Sequence, residues 1–358
     1  MGIARTHEAW MTRHFHFKAL AVRSLVSALA GGGVGVTMAV KGLGVMALVG
    51  QQAVTFIASF VLLWISCPWR PDFRISLSAV REILVFWRGY IGNSVIGILN
   101  SNCDTFLIAL FFGTRDVGIY NVGKRVRLML QLVTSRPLNG TISSTLAEIQ
   151  DDPGRLQRGI LRGLTIVCTI CAPIFIGTSA VSYDAIIVGF GQKWIETTPV
   201  LQLLAISGFC MVLQLFNDNI FIIHKRQAWC MYVALMYFVL SVLAFCVCSK
   251  LQVSAFALPF VLPYICVIPF SFFLVSQLVN ISLREWLSAM LPGISSAIAM
   301  WLAVKLLQHQ LQDVSNLVRL VASCLAGGIF YVMALWVLWR KQAFMTLDIV
   351  RHILQRRS

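Results

Sequence analysis

Residues 117–147 hold four cations and no carboxylate: Lys124, Arg125, Arg127 and Arg136. At about 100° per residue on a helix, these four fall on one broad arc with Asn121, Gln131, Thr134, Ser135 and Asn139. Val122, Val126, Met129, Leu130 and Val133 take the opposite arc. Upstream, Asn93, Gly97, Asn100 and Asp104 recur at i, i+4, i+7 and i+11, which puts them on one helix face. Downstream, Ser207, Gln214 and Asp218 repeat that theme at i, i+7 and i+11. No catalytic constellation is read among these residues, and their pattern points to binding. Guanidinium and ammonium groups hold anionic oxygens through charge-assisted hydrogen bonds, paired in the case of arginine. One aspartate cannot neutralise four cations, so water or an anionic ligand is their natural partner. Arg136 could instead snorkel towards an interface.

Geometry narrows the pairing. The connection Gly113-Thr-Arg-Asp116 is short, so the flanking helices form an antiparallel hairpin. Asp104 lies about eight residues before that turn and Lys124 about seven after it, so both sit roughly 10–12 Å below the hairpin's end. An Asp104–Lys124 or Asp104–Arg125 ion pair is sterically reasonable. It would either pin one helix to another or line a wet cavity and open to substrate or a coupling ion. Asp218 is a second coupling candidate, or a local partner of Lys225.

The elements that must position these residues are membrane helices. Of 358 residues, 58% are hydrophobic and only 12% charged. That excludes a soluble globular enzyme, a disordered chain and a coiled coil. The apolar runs are continuous rather than alternating, which argues against a transmembrane β-barrel. The fold class is all-α, a polytopic transmembrane bundle of about ten helices. They are expected near 19–40, 43–66, 84–112, 117–147, 160–183, 199–223, 227–249, 251–279, 286–308 and 316–339. Pro137, Pro173, Pro259, Pro263 and Pro269 fall inside these spans and favour kinks. Gly31 and Gly35 form a GxxxG that marks close helix packing.

The net charge of +15 does not point to nucleic acid, because membrane proteins collect Lys and Arg in their cytoplasmic loops. With the N-terminus inside, nineteen of the 29 Lys and Arg fall on the cytoplasmic side: Arg5, Arg13, Lys18, Arg23, Arg70, Arg74, Arg81, Arg88, Arg155, Arg158, Arg162, Lys225, Arg226, Arg284, Arg340, Lys341, Arg351, Arg356 and Arg357. Six fall outside: Lys41, Arg115, Lys193, Lys250, Lys305 and Arg319. Both termini are therefore expected in the cytoplasm. Ten cysteines are scattered through apolar runs, and the Cys168/Cys171 pair has no further ligands nearby, so neither a disulfide framework nor a metal site is read. There is no Walker A sequence, HExxH or GxSxG, and no cofactor is expected.

Several stretches resemble bacterial polysaccharide flippases, the lipopolysaccharide, O-antigen and exopolysaccharide exporters of the MATE-like (multidrug/oligosaccharidyl-lipid/polysaccharide) superfamily. Asp104-Thr-Phe-Leu-Ile-Ala-Leu-Phe-Phe-Gly113 followed by Val117-Gly-Ile-Tyr-Asn-Val-Gly-Lys-Arg125 is similar to the family's central hairpin. Lys41-Gly-Leu-Gly-Val-Met-Ala-Leu-Val49 resembles a loop and helix start that usually carries Trp where Met46 stands here. Pro68-Trp-Arg-Pro71, Gly189-Phe-Gly-Gln-Lys-Trp194 and Thr198-Pro-Val-Leu-Gln-Leu-Leu204 resemble further family elements. The resemblance covers about residues 13–280.

The resemblance implies two six-helix lobes around a central cavity plus two C-terminal helices, in the bacterial inner membrane. It implies flipping of a polyprenyl-pyrophosphate-linked oligosaccharide by ion-coupled alternating access, with membrane lipid, the polysaccharide polymerase and the export machinery as partners. Lys124, Arg125, Arg127, Gln131, Asn93, Asn100 and Asn121 would line the substrate cavity, and Asp104 and Asp218 would be ion-pair or coupling groups. Domains are then expected as 1–18 cytoplasmic segment, 19–66 remainder of the N-terminal lobe, 84–279 C-terminal lobe, 286–339 two additional helices and 340–358 basic tail. The family has about fourteen helices against ten read here, as though the first four were missing; in-frame coding sequence for four more spans is expected upstream. The alternatives are a multidrug or cation-coupled extruder of the same fold, a membrane glycosyltransferase or polymerase, and an inactive remnant. The extruder would favour an acidic cavity, and the glycosyltransferase would need a loop of catalytic carboxylates that is not found.

Overall fold

The computed structural model describes residues 2–14, 16–68, 97, 102–150, 152–250 and 257–339. Eleven helices run through them: α1 (Gly2–Arg13), α2 (Phe17–Val40), α3 (Val45–Ser66), α4 (Asn102–Phe111), α5 (Thr114–Glu148), α6 (Pro153–Phe190), α7 (Thr197–Ile223), α8 (Gln227–Lys250), α9 (Tyr264–Val279), α10 (Leu283–Gln310) and α11 (Asn316–Leu338). Eight elements are long and apolar enough to cross a membrane. The chain is a multi-pass helical membrane protein. It divides into two compact units, residues 1–86 and 87–358.

In the first unit α2 and α3 pair through the GxxxG. A Cβ on Gly31 would collide with Thr55 Oγ1 and stand 2.8 Å from the Gln51 carbonyl, and one on Gly35 would stand 2.9 Å from Gln51 Cβ. Only glycine lets the two backbones approach this closely, which is how helices associate where no hydrophobic drive separates lipid from protein. Helix α1 lies in the stretch that composition marks as a polar segment. Its Met11 is buried with Leu63 and Cys67 of the α3 end, and its Glu8 pairs with Arg23 of α2 at 3.3 Å.

In the second unit α6 is the axis. It runs 38 residues, longer than the expected 160–183, because Asp152 caps it, accepting from the Arg155 N–H at 3.0 Å, with Pro153 at the first turn. Arg155, Arg158 and Arg162 therefore lie on a helix instead of in a loop, and Asp184 lies inside the last turns. The helix ends at Gly191, whose φ of 90° suits glycine. Leu164, Cys168, Cys171, Ala172 and Phe175 of α6 are fully buried. Gly293 of α10 crosses them so closely that a Cβ would stand 2.6 Å from the Cys168 carbonyl oxygen.

Two expected boundaries move. The hairpin turn is at Phe112–Gly113, and Thr114-Arg-Asp116 already belongs to α5, where Asp116 faces the positive end of the helix dipole. The expected 251–279 span is broken within its described part: a short turn at Leu258–Phe260 precedes α9, and Pro259 and Pro263, which lack an N–H, hold the break.

Candidate functional site

Helices α4, α5, α7, α8 and α9 enclose a cavity of about 930 Å³. Gly123 lets α5 lie against α7, where a Cβ would stand 3.3 Å from Val200, and Thr197 Oγ1 donates to the Ile119 carbonyl at 3.4 Å. Phe111 and Phe112 pack edge-on against Phe245 of α8, which holds the end of the hairpin. Of the apolar arc of α5, Met129 and Val133 are exposed, Leu130 packs against the core and Val122 lines the cavity.

Asp104 and Lys124 meet on that wall. Lys124 Nζ is 2.7 Å from Asp104 Oδ1 and 3.3 Å from Thr105 Oγ1. The second carboxylate oxygen accepts from Tyr120 OH at 2.7 Å, and the Thr105 N–H donates to Oδ1 at 2.6 Å. Both oxygens of the buried carboxylate are thereby hydrogen-bonded, and one of them to a counter-charge, which is the condition for keeping a charge buried. Arg125 lines the cavity and is exposed to it. Arg127 lines it deeper, 9% exposed, with Nη1 donating to Ser207 Oγ at 3.3 Å and Nε buried without a partner. Asn121 also lines it. Two arginines, one asparagine and the Asp104–Lys124 ion pair give a wall able to hold several anionic oxygens at once.

Other expected residues fall elsewhere. Gln131 does not line the cavity; it is buried against α7 with Nε2 at 3.0 Å from Met211 Sδ. Asn93 and Asn100 lie outside the described residues, as do the side chains of Arg136 and Asn139. Asp218 lines the cavity, but it accepts from Gln214 Nε2 at 2.8 Å and forms no pair with Lys225. Gly97 of the expected polar face lines the cavity too.

Sequence reasoning passed over two groups. One is an aromatic wall opposite the cations, in which Tyr237 and Tyr264 sit 4.8 Å apart and Tyr237 OH donates to the Phe260 carbonyl at 3.1 Å. Single tyrosines in apolar runs leave no spacing signal. The other lies away from the cavity. Asp184 of α6, 1% exposed, pairs with Arg319 of α11 and accepts from Gln308 of α10 at 3.3 Å. Lys305 donates to the Ala180 carbonyl at 2.8 Å. Lys305 and Arg319 count among the outer-side charges in the sequence, within the expected spans 286–308 and 316–339; in the structure both are used by packing.

A model of the polysaccharide biosynthesis protein family matches residues 1–199, more than half of the chain and the whole of the hairpin with its cations. The chain belongs to this family. Among relatives, the succinoglycan biosynthesis transport protein ExoT of Rhizobium meliloti (strain 1021) is 25% identical over 197 residues, 55% of this chain and 40% of that protein. The lipopolysaccharide biosynthesis protein WzxC of Escherichia coli (strain K12) is 31% identical over 140 residues, 39% of this chain and 28% of that protein. The teichuronic acid biosynthesis protein TuaB of Bacillus subtilis (strain 168) is 25% identical over 158 residues, 44% of this chain and 33% of that protein. The chain thus spans well under half the length of these polysaccharide biosynthesis relatives. The lipid II flippase MurJ, solved in an inward closed conformation, superposes with a TM-score of 0.67 over 88% of this chain and 67% of that one, at 12% identity. At that identity the likeness is one of fold alone.

Proposed function

We propose that this family member is a membrane transporter that moves a polyprenyl-pyrophosphate-linked oligosaccharide repeat unit across the bacterial inner membrane by ion-coupled alternating access. The product would be an exopolysaccharide, O-antigen or capsule, and the chain itself makes and breaks no covalent bond. The observation that carries this reading is the cavity wall on which Lys124, Arg125 and Arg127 come together inside a bundle of membrane spans. Cations on a helix packed among membrane spans are expensive unless water or an anion meets them. A pyrophosphate supplies such oxygens, and guanidinium groups hold them in pairs. The relatives' names support the polysaccharide context.

In this reading Arg125 and Arg127 seat the pyrophosphate, Asn121 bonds the first sugar, and Asp104–Lys124 opens as an anion draws Lys124 away. The unit 87–358 supplies the C-terminal lobe and its two added helices, and α2 and α3 belong to the N-terminal lobe. Both termini face the cytoplasm, as the loop charges require. The test is complementation of a flippase-deficient strain with the full reading frame, scoring surface polysaccharide. Restoration is expected, with loss of at least tenfold in Arg125→Gln/Arg127→Gln. Robust membrane expression with no surface polysaccharide, in a host that makes a matched repeat unit, overturns the reading.

A further inference from the structure

Asp218 is the second carboxylate of the cavity and is built differently from Asp104. It lies within the α7 span and on the cavity wall. Its Oδ1 accepts from the neutral Gln214 amide at 2.8 Å, one helical turn away. Beside it, Cys230 Sγ of α8 donates to its backbone carbonyl at 3.8 Å. The titratable and charged groups that share this cavity are Tyr120, Lys124, Arg125 and Arg127 from α5, Asp104 from α4, Cys230 and Tyr237 from α8 and Tyr264 from α9, while α6 contributes Phe190, which does not titrate. None of the cations forms an ion pair with Asp218; Lys124 bonds Asp104 and Arg127 bonds Ser207. A charge in a span with no counter-charge is costly, and a group that can shed its charge relieves that cost.

Shedding it requires an acceptor for the new O–H. Gln214 has one. Its Oε1 is buried and has no partner in this arrangement. A half-turn of the amide puts Oε1 where Nε2 now stands, so the same side chain donates to the carboxylate and accepts from the carboxylic acid. Asp104 is held differently. The Lys124 ammonium bonds its Oδ1 at 2.7 Å and, as a counter-charge with no acceptor of its own, favours the ionised carboxylate, to which Tyr120 and Thr105 also donate.

We propose that Asp218 and Gln214 form the proton-carrying site of this cavity, an assignment that rests on the transport reading above and names its coupling ion. A hydronium ion in the cavity gives its proton to a carboxylate oxygen, one O–H bond forms as another breaks, water is left, and the Gln214 amide turns; the reverse releases the proton on the other side. Protonation makes Asp218 neutral and removes its repulsion of an anion on the Arg125/Arg127 wall, so the two binding events are linked within one cavity.

The test is infrared difference spectroscopy on the full chain in phospholipid vesicles without any sugar lipid, stepping the pH from neutral to acid. A protonated-carboxyl C=O band is expected, lost in Asp218→Asn, kept in Asp104→Asn and shifted in Gln214→Leu. Should Asp218→Asn not assemble, Asp218→Glu must move the band. A band that persists in Asp218→Asn, an unmoved band in Asp218→Glu or no carboxyl band in the wild type overturns the assignment. Loss of the band on replacing choline chloride by sodium chloride at fixed pH also overturns it, in favour of a sodium site. Transport plays no part in this readout, so its failure is distinguishable from failure of complementation.

Discussion

Two ion pairs inside the same unit, Asp104–Lys124 and Asp184–Arg319, have nearly equal burial and opposite surroundings. The Lys124 and Asp104 side chains are 15% and 9% exposed, those of Arg319 and Asp184 12% and 1%. Asp104 faces a cavity of about 930 Å³. Asp184 faces packed helix: Arg319 Nε donates to it at 2.8 Å, Gln308 closes its other oxygen, and Arg319 spends its remaining reach on Asn316 at 2.8 Å and on the Tyr183 ring. Burial alone therefore does not mark a functional charge. What separates the two is whether an incoming group could take a partner's place. At Asp104 water or an anion can; at Asp184 there is no room for one, and the pair joins α6, α10 and α11.

Truncation should expose that difference most strongly at the packed pair. Asp184→Ala leaves the Arg319 guanidinium without the carboxylate it is packed against, and removing one partner of a buried pair costs about 3–5 kcal/mol. The expected outcome is a large drop in the melting temperature of the purified protein, or loss of folded material. The double variant Asp184→Ala/Arg319→Ala should recover part of that loss, because it removes both charges. A melting temperature unchanged by Asp184→Ala would mean that the pair is solvated and the contrast with Asp104 is unfounded.

The cavity pair should give the reverse balance. In Asp104→Asn the amide still accepts from Tyr120, and cavity water can rehydrate Lys124, so the stability cost is about 1.5–3 kcal/mol, the range for a single hydrogen bond to a charged group. Transport should fall at least tenfold, which corresponds to about 1.4 kcal/mol in the barrier. Surface-polysaccharide output normalised to membrane-inserted protein measures it. If Asp104→Asn lowers the melting temperature as far as Asp184→Ala while transport per folded molecule is unchanged, Asp104 is only a pin between helices.

These two pairs also differ in how far they can be read from sequence. Asp104 and Lys124 are twenty residues apart across one short turn, and a hairpin fixes its own register, so their meeting follows from counting residues to Gly113. The turn itself shifts by a residue or two without changing the pairing. Asp184 and Arg319 are 135 residues apart. No local rule brings α11 onto α6; the contact depends on Gly293 letting α10 cross the Cys168 backbone, a packing fact with no periodic signal. Reading the end of α6 at 183 also hid Asp184, because an acidic residue after an apolar run looks like the start of a loop. Helix α1 was hidden for the opposite reason: its composition is polar, and what stabilises it is Met11 against the end of α3. The Asp218–Lys225 pairing fails on direction, since Asp218 turns into the cavity while Lys225 sits in the turn after α7 with φ of 57°.

A third pair calibrates the comparison from the solvent side. Arg115 Nη2 is 2.7 Å from Glu196 Oε1, as short as the Lys124–Asp104 bond, but the side chains are 78% and 53% exposed. Water screens the attraction, and two long side chains lose rotamer freedom in forming it, so such a pair contributes roughly 0–1 kcal/mol. Arg115→Ala should leave the melting temperature nearly unchanged and polysaccharide output intact, and added salt should abolish whatever small difference remains. Three bonds of similar length would then rank by what surrounds them: closed helix packing first, a wet cavity second, open solvent last. An Arg115→Ala effect as large as that of Asp104→Asn would mean that this end of the hairpin is itself covered, and that the Gly113 turn, not the cavity wall, controls how α4 and α5 are held.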